Sequence, residues 1–190
     1  MGKLKAKKNY VANRNIHIEG IINNQRVRPA SELRYGCTKT PLHGSGWVSV
    51  YNVLYLLSKN VSPAKVIRSI EEIGGTILGG LGGTKYQDLI PVLSEYGYMS
   101  RLYAPKDNFN SLIQVGATGI LVYRTFRNLG QSNFVAFRRV SETQYDFYNP
   151  TTNETSLEVF LNKRHALPSP KVILVKNRMM KTETISSKRI

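Results

Sequence analysis

The sequence contains a single cysteine, Cys37, among its 190 residues. One cysteine excludes an internal disulfide and any zinc site built from several cysteines. The three histidines are far apart in sequence and lack the short spacing that is typical of metal ligands. We therefore expect neither a metal nor another cofactor, and we expect a reducing environment for the protein.

Long apolar runs are also missing. No stretch approaches the roughly 20 apolar residues of a membrane-spanning helix. No apolar segment follows the charged start, as one would in a secretory signal peptide. We therefore expect no membrane association and no export by a signal peptide. Hydrophobic residues still make up 41% of the chain, which is enough for a core at this length.

Acidic residues are scarce: 12 Asp and Glu stand against 27 Lys and Arg, which gives a net charge of +15. Residues 1–28 carry seven basic side chains and one acidic side chain. Residues 176–190 carry five basic side chains and one acidic side chain. Such basic ends favour contact with nucleic acid or another polyanion, and the alternative is a pair of solvated termini. The basic residues assigned to this contact are Lys3, Lys5, Lys7, Lys8, Arg14, Lys181, Lys188 and Arg189.

The first half of the chain has helical periodicity. Apolar residues recur at three- and four-residue steps over 46–58 and again over 62–73. The second of these helices has a cap and a first-turn proline at Ser62 and Pro63. A third helix is predicted from 84 to 96, with Thr84 as its cap and Pro91 as a kink or break. The glycine-rich residues 74–83 lack the order of a phosphate-binding loop and are predicted to be a linker.

The second half changes to strand patterns rich in β-branched and aromatic residues. Strands are predicted at 98–103, 119–123, 133–139, 144–148 and 172–175, with short helices from Asn108 to Val115 and over 156–162. This order predicts an α+β domain over 31–176, with a helical first half and an antiparallel sheet in the second half. A basic N-terminal arm (1–30), which docks one short strand, and a basic C-terminal tail (177–190) flank it.

Three motifs together resemble one family. The helix start at residues 43–54 reads HGSGWVSVYNVL, residues 131–137 read QSNFVAF, and residues 147–150 read FYNP. Over residues 33–150 these motifs, in this order, resemble the C39-like bacterial cysteine peptidases. The resemblance implies the two-lobed papain-like fold. It also implies that Ser45 falls on the catalytic Cys, Asn133 on the His, and Asn149 on the residue that orients the His.

These substitutions predict that the site is catalytically inactive. A papain-type thiol needs a helix N-terminus and an imidazole base, and a serine hydroxyl without a base is a poor nucleophile. The family's oxyanion-stabilising Gln is also missing, because Lys39 and Thr40 stand near its place. One alternative is a C39-like peptidase whose nucleophile has been substituted. Another alternative is catalysis by Cys37 with His43 or His165 as the base. The competing interpretation is that Cys37 is an unreactive thiol in a loop.

We therefore predict a catalytically inactive papain-fold protein that serves as a structural or binding subunit of a larger nucleoprotein assembly, such as a phage or viral particle. Its partners would be other protein subunits and nucleic acid, and the protein itself would form an oligomer. We expect it in the cytoplasm or within a virion. The alternative is a pseudopeptidase that binds a peptide in the old groove. The residues assigned to partner or peptide contact are Trp47, Arg124, Arg127, Arg138 and Arg139.

Overall fold

The computed structural model of the chain describes residues 2–104, 109–128 and 131–177. In these ranges the helices are α1 (Gly2–Asn13), α2 (Thr40–His43), α3 (Ser45–Leu56), α4 (Pro63–Glu72), α5 (Leu89–Glu95), α6 (Phe109–Leu112) and α7 (Leu157–Lys163). The strands are β1 (Arg34–Tyr35), β2 (Thr38–Lys39), β3 (Tyr98–Tyr103), β4 (Thr118–Tyr123), β5 (Asn133–Ser141), β6 (Gln144–Tyr148), β7 (Thr152–Glu154) and β8 (Lys171–Asn177).

The main sheet has six strands in the order β3-β8-β4-β5-β6-β7, and every neighbouring pair is antiparallel. Alternate residues of its strands face opposite sides, as the period of a strand requires. In β5, Phe134 and Ala136 face a core formed with the helices of the first half, whereas Val135 and Phe137 face a second core that includes Phe160 of α7. The predicted α+β class is therefore confirmed.

Helix α3 is enclosed by the rest of the domain. Residues 46–54 are all buried, because apolar side chains surround the helix instead of forming one stripe. The helix packs against β4 and β5 on one side and against α4 and α5 on the other. A central helix held between further helices and an antiparallel sheet is the two-lobed plan that the papain-like resemblance implies.

Of the helix signals predicted in the first half, the cap at Ser62 is confirmed, whereas the cap at Thr84 and the kink at Pro91 are not. Ser62 caps α4 as predicted, and its side chain accepts a hydrogen bond from the backbone N–H of Lys65. The predicted cap at Thr84 is wrong, because its hydroxyl pairs with the Tyr35 hydroxyl at 2.7 Å and α5 begins only at Leu89. Pro91 neither kinks nor splits α5, since it lies in the first turn, where its missing N–H has no helical partner.

The N-terminal segment differs most from the expectation. Instead of a loose arm with one strand, α1 packs against α4, and no residue from 16 to 22 is in a strand. Buried amides anchor it: Asn13 exchanges hydrogen bonds with the backbone of Arg34 at 2.8 and 2.9 Å. An apolar stripe is absent from α1, so periodicity gave no signal for it.

The helix start at Asn108 falls outside the described ranges, as does the predicted tail beyond Asn177, with Lys181, Lys188 and Arg189. Asn177 itself, placed in the tail, is the last residue of β8. The domain limits at 31 and 176 stay predictions. No helix in the described part of the chain is long and apolar enough to cross a membrane.

Candidate functional site

A cleft of about 400 Å³ lies where the start of α3 meets the sheet. The start of β5 and the end of β6 form one wall, and the segment at 24–26 forms another. Ser45, Asn133 and Asn149 all line this cleft, although they come from three separate parts of the chain. The structure thus brings together the three positions that the sequence motifs singled out.

Ser45 is the first residue of α3 and is half-buried. The free N–H groups and the dipole of a helix start favour negative charge beside them. Helix α2 ends directly before it, and Gly44 joins the two helices with its N–H bonded to the Thr40 carbonyl at 2.9 Å. A hydroxyl at this place has the position of a nucleophile but still needs a base.

Asn133 is the first residue of β5 and pairs in register with Tyr123. Its Nδ2 is buried and has no hydrogen-bond partner in the described part of the chain. A carboxamide cannot take a proton from Ser45, so this position supplies no general base. The carboxamide keeps a buried donor without a partner among the described residues.

Asn149 is buried directly after β6 and has a left-handed backbone, with φ of 80°. Its Oδ1 accepts a hydrogen bond from the backbone N–H of Gln25 at 2.8 Å. Its Nδ2 donates to Gln25 Oε1, also at 2.8 Å. Both ends of the carboxamide are therefore bound to Gln25 and not to residue 133.

Gln25 is a site residue that sequence reasoning missed. Its Nε2 donates to the carbonyls of Thr40 and Pro41 at 3.0 and 3.2 Å, so both hydrogens of the amide are used. It therefore ties α2 to Asn149 and is not a free oxyanion donor. No sequence signal marked it, because its partner lies 124 residues away.

His43 is the imidazole that lines the cleft in the described part of the chain. Its Nδ1 lies 3.2 Å from Gln131 Oε1, and Gln131 Nε2 donates to the Leu81 carbonyl at 3.0 Å. Within the described residues its ring is hydrogen-bonded to Gln131, and no hydrogen bond joins it to Ser45. It forms part of a hydrogen-bonded wall.

Cys37 lines a different pocket of about 570 Å³ beside α1, together with Lys5, whose ammonium group contacts the Cys37 sulfur. Glu71 closes that pocket, and its Oε1 accepts hydrogen bonds from Asn9 Nδ2 and the Gly36 N–H at 2.7 and 2.6 Å. Because His43 lines the other cleft, the structure does not bring it to Cys37. His165 lines neither of these two pockets.

Burial explains the electrostatics of two groups near these pockets. Desolvation raises the pKa of Glu71, and hydrogen bonds from Gly36 and Asn9 only partly offset it. Desolvation also raises the pKa of Tyr123, with a smaller opposite effect from Arg164. The Tyr123 hydroxyl in the cleft is therefore neutral at physiological pH.

The residues predicted for partner contact are dispersed. Trp47 is fully buried, so its side chain does not reach the cleft, which corrects that prediction. Arg124 lines a small pocket of about 130 Å³ that shares Tyr123 and Ser132 with the cleft. Arg127 is exposed in a 3-10 turn beyond β4.

The other two arginines of this group lie near the far end of β5. Arg138 is exposed and opposite Asp146, and Arg139 binds Glu142 at 2.7 Å and packs over the Tyr145 ring. A strand advances about 3.3 Å per residue, so they are well removed from Asn133. The four arginines assigned to partner or peptide contact therefore do not form one surface at the cleft.

The N-terminal basic residues divide into two groups. Lys3, Lys7, Lys8 and Arg14 are exposed on or just after α1, whereas Lys5 is half-buried against Cys37. Among the residues that the structure describes, no three His, Cys, Asp or Glu side chains form a group that could hold a metal ion.

Several solved structures have a fold similar to that of this chain. No family model matches the chain, and no curated protein matches it. The peptidase domain of Streptococcus ComA, a bi-functional ABC transporter involved in quorum sensing, is 16% identical with a TM-score of 0.49. The Pseudomonas avirulence protein AvrPphB is 8% identical with a TM-score of 0.40. Each comparison covers 70% of this chain and 90% of the other, and neither assigns an activity.

Proposed function

We propose that this protein is a papain-like pseudopeptidase that binds a polypeptide in its former substrate cleft without cleaving it. One observation supports the proposal: the cleft keeps Ser45, Asn133 and Asn149 together, and within the described residues no hydrogen bond joins Ser45 to a basic side chain. The carboxamide of Asn133 cannot act as a base, and Asn149 is bound to Gln25. A cleft without its chemistry still offers shape and hydrogen-bonding groups to an extended chain.

The test has two measurements on the full chain. Incubation with a mixed peptide library should leave every peptide intact by mass spectrometry, while some of its members bind in an affinity assay. Cleavage that disappears in Ser45→Ala would overturn the proposal in favour of an active hydrolase. If no peptide in the library binds, the proposal is wrong.

A second reading is that of a C39-like peptidase carrying substitutions. It requires Cys and His in the natural gene at positions 45 and 133. A Ser45→Cys, Asn133→His double variant asks whether the scaffold still supports cleavage. Rapid cleavage by that variant would favour recent loss of activity, and its absence would favour a cleft already adapted to binding.

A role as a subunit of a nucleoprotein assembly is a third candidate, favoured by the exposed Lys3, Lys7 and Lys8 on α1. Lysines that neutralise phosphates make affinity fall steeply as salt rises. Titration with nonspecific DNA at increasing salt tests this role. An affinity that does not change with salt, or that survives replacement of the three lysines by Gln, would contradict it.

A further inference from the structure

The lining of the cleft carries positive charge and no carboxylate. Arg26 and Arg164 both line it, together with His43 and a set of uncharged residues. Neither guanidinium forms an ion pair within the described residues, whereas Lys163, next to Arg164, is paired with Glu154 at 2.6 Å. Arg164 lies over the Phe160 ring, 5.3 Å from its centre, and its charge helps to lower the pKa of Glu154. In the described part of the chain, however, no carboxylate is within ion-pair distance of either cation.

The positive surface continues beyond the cleft. The adjoining pocket that shares Tyr123 and Ser132 is lined by Arg124 and Lys171, again with no Asp or Glu. Lys171 lies with its Nζ 5.1 Å from the centre of the Tyr86 ring. An elongated ligand that crosses both pockets would meet four basic side chains and no acidic one.

An unused donor adds a second, independent feature. Asn133 Nδ2 lies buried at the cleft without a hydrogen-bond partner in the described part of the chain. A buried donor without a partner costs free energy, which an acceptor oxygen on a ligand would recover. Carboxylate and peptide carbonyl oxygens are such acceptors.

A peptide fits these features better than a nucleic acid does. Binding of single-stranded nucleic acid relies on exposed aromatic faces on which bases stack. The aromatic residues of the cleft are packed instead: Phe134 is 2% exposed, and Tyr123 meets the Phe160 ring edge-on at 5.8 Å. The amides of Asn24 and Asn133, which also line the cleft, match the hydrogen-bonding groups of a peptide backbone.

We propose that the cleft selects an acidic peptide segment, whose carboxylates pair with Arg26 and Arg164 while Asn133 Nδ2 donates to a carboxylate or carbonyl oxygen. This inference rests on the proposed function, because it names the class of polypeptide that the same cleft would take. Guanidinium–carboxylate pairs of this kind give orientation as well as affinity.

The experiment compares three sets of fluorescently labelled octapeptides that are random at six positions and carry Glu, Gln or Lys at the other two. Binding to the full chain is measured by fluorescence polarisation. The Glu set should bind about tenfold more tightly than the Gln set, and this preference should shrink as salt rises. An Arg26→Gln, Arg164→Gln double variant should lose the preference, since it removes both cations.

Matched variants separate local charge from net charge. A double variant of Arg138→Gln and Arg127→Gln removes the same two charges outside the cleft and should keep the preference, and Arg26→Lys, Arg164→Lys should keep part of it. Equal binding of the Glu and Gln sets would overturn the acidic preference but leave peptide binding intact. Failure of all three sets would overturn the proposed function with it. A single-stranded oligonucleotide that binds only when Arg26 and Arg164 are present, while no peptide set binds, would overturn both in favour of nucleic acid.

Discussion

Gln25 and Asn149 hold each other by two hydrogen bonds of 2.8 Å, one through the Gln25 backbone N–H and one between the two side chains. The pair joins the N-terminal segment to the end of β6 across 124 residues of sequence. It also occupies the residue that would orient an imidazole in a papain-like site. The same contact therefore forms part of one wall of the cleft.

Loss of this contact should destabilise the fold. Asn149→Gly removes both hydrogen bonds but tolerates the φ of 80°, and we expect a loss of about 1–2 kcal/mol in the free energy of unfolding. Asn149→Ala should cost about 1 kcal/mol more, because alanine is strained in the left-handed region. Urea denaturation measures both, with the exposed Asn60→Gly as control. Equal stability of the glycine variant and the native protein would show that the contact contributes nothing.

Glu71 should give stability a pH dependence that is opposite to that of most carboxylates. Burial raises its pKa above the ordinary value of 4.5, so the folded protein keeps a proton that the unfolded chain has already lost. Stability must then fall as the pH rises from about 4.5 through the raised pKa. Glu71→Gln keeps an oxygen for the N–H groups of Asn9 and Gly36 but does not titrate.

The measurement for Glu71 is the difference in unfolding free energy between the native protein and Glu71→Gln, taken from urea titrations at several pH values. Between about pH 4.5 and neutrality, the native protein should lose stability relative to Glu71→Gln. Glu72→Gln, which alters an exposed carboxylate paired with Arg68, serves as the control. A difference that is constant with pH, or that moves in the native protein's favour, would contradict the burial of a charged Glu71.

Local pattern and chain order predicted the parts of the fold that depend on neighbouring residues. The helical state of α3 and the cap of α4 at Ser62 were predicted from local features, and the structure confirms both. Ser45, Asn133 and Asn149 were placed in one site because their motifs kept the order of a known family, and they do line one cleft.

The features that sequence reasoning missed are held by contacts between distant residues. Helix α1 has no apolar stripe and is anchored through the buried amides of Asn9 and Asn13. Gln25 has no motif, and its role exists only because Asn149 lies opposite it. Trp47 was assigned to partner or peptide contact, but its side chain is fully buried in the core around α3.

Gly46 should resist any side chain. A Cβ at this position would lie 2.2 Å from Thr84 Oγ1, and that hydroxyl is held by Tyr35 at 2.7 Å, so it cannot easily move away. We expect Gly46→Ala to lower the free energy of unfolding by about 1–3 kcal/mol. Ser45→Ala, one residue earlier at a half-buried position, should change it by less than about 0.5 kcal/mol. Thermal or urea unfolding would show similar values for the two variants if the packing at Gly46 were loose.

The juxtaposition of positions 45 and 133 can be tested without any catalysis. In a Cys37→Ser background, Ser45→Cys supplies one thiol at the start of α3, where the dipole already favours a thiolate. Adding Asn133→His should extend alkylation by iodoacetamide to lower pH and speed it about tenfold near pH 6, because an imidazolium beside the thiol stabilises the thiolate. Gln144→His, on an exposed position of the neighbouring strand β6, supplies an imidazole away from the cleft and should leave the profile unchanged. If the pH profile of the Asn133→His variant instead superimposes on that of Ser45→Cys alone, the side chains at positions 45 and 133 do not face each other. The proposed likeness of this cleft to a peptidase site would then lose its structural basis.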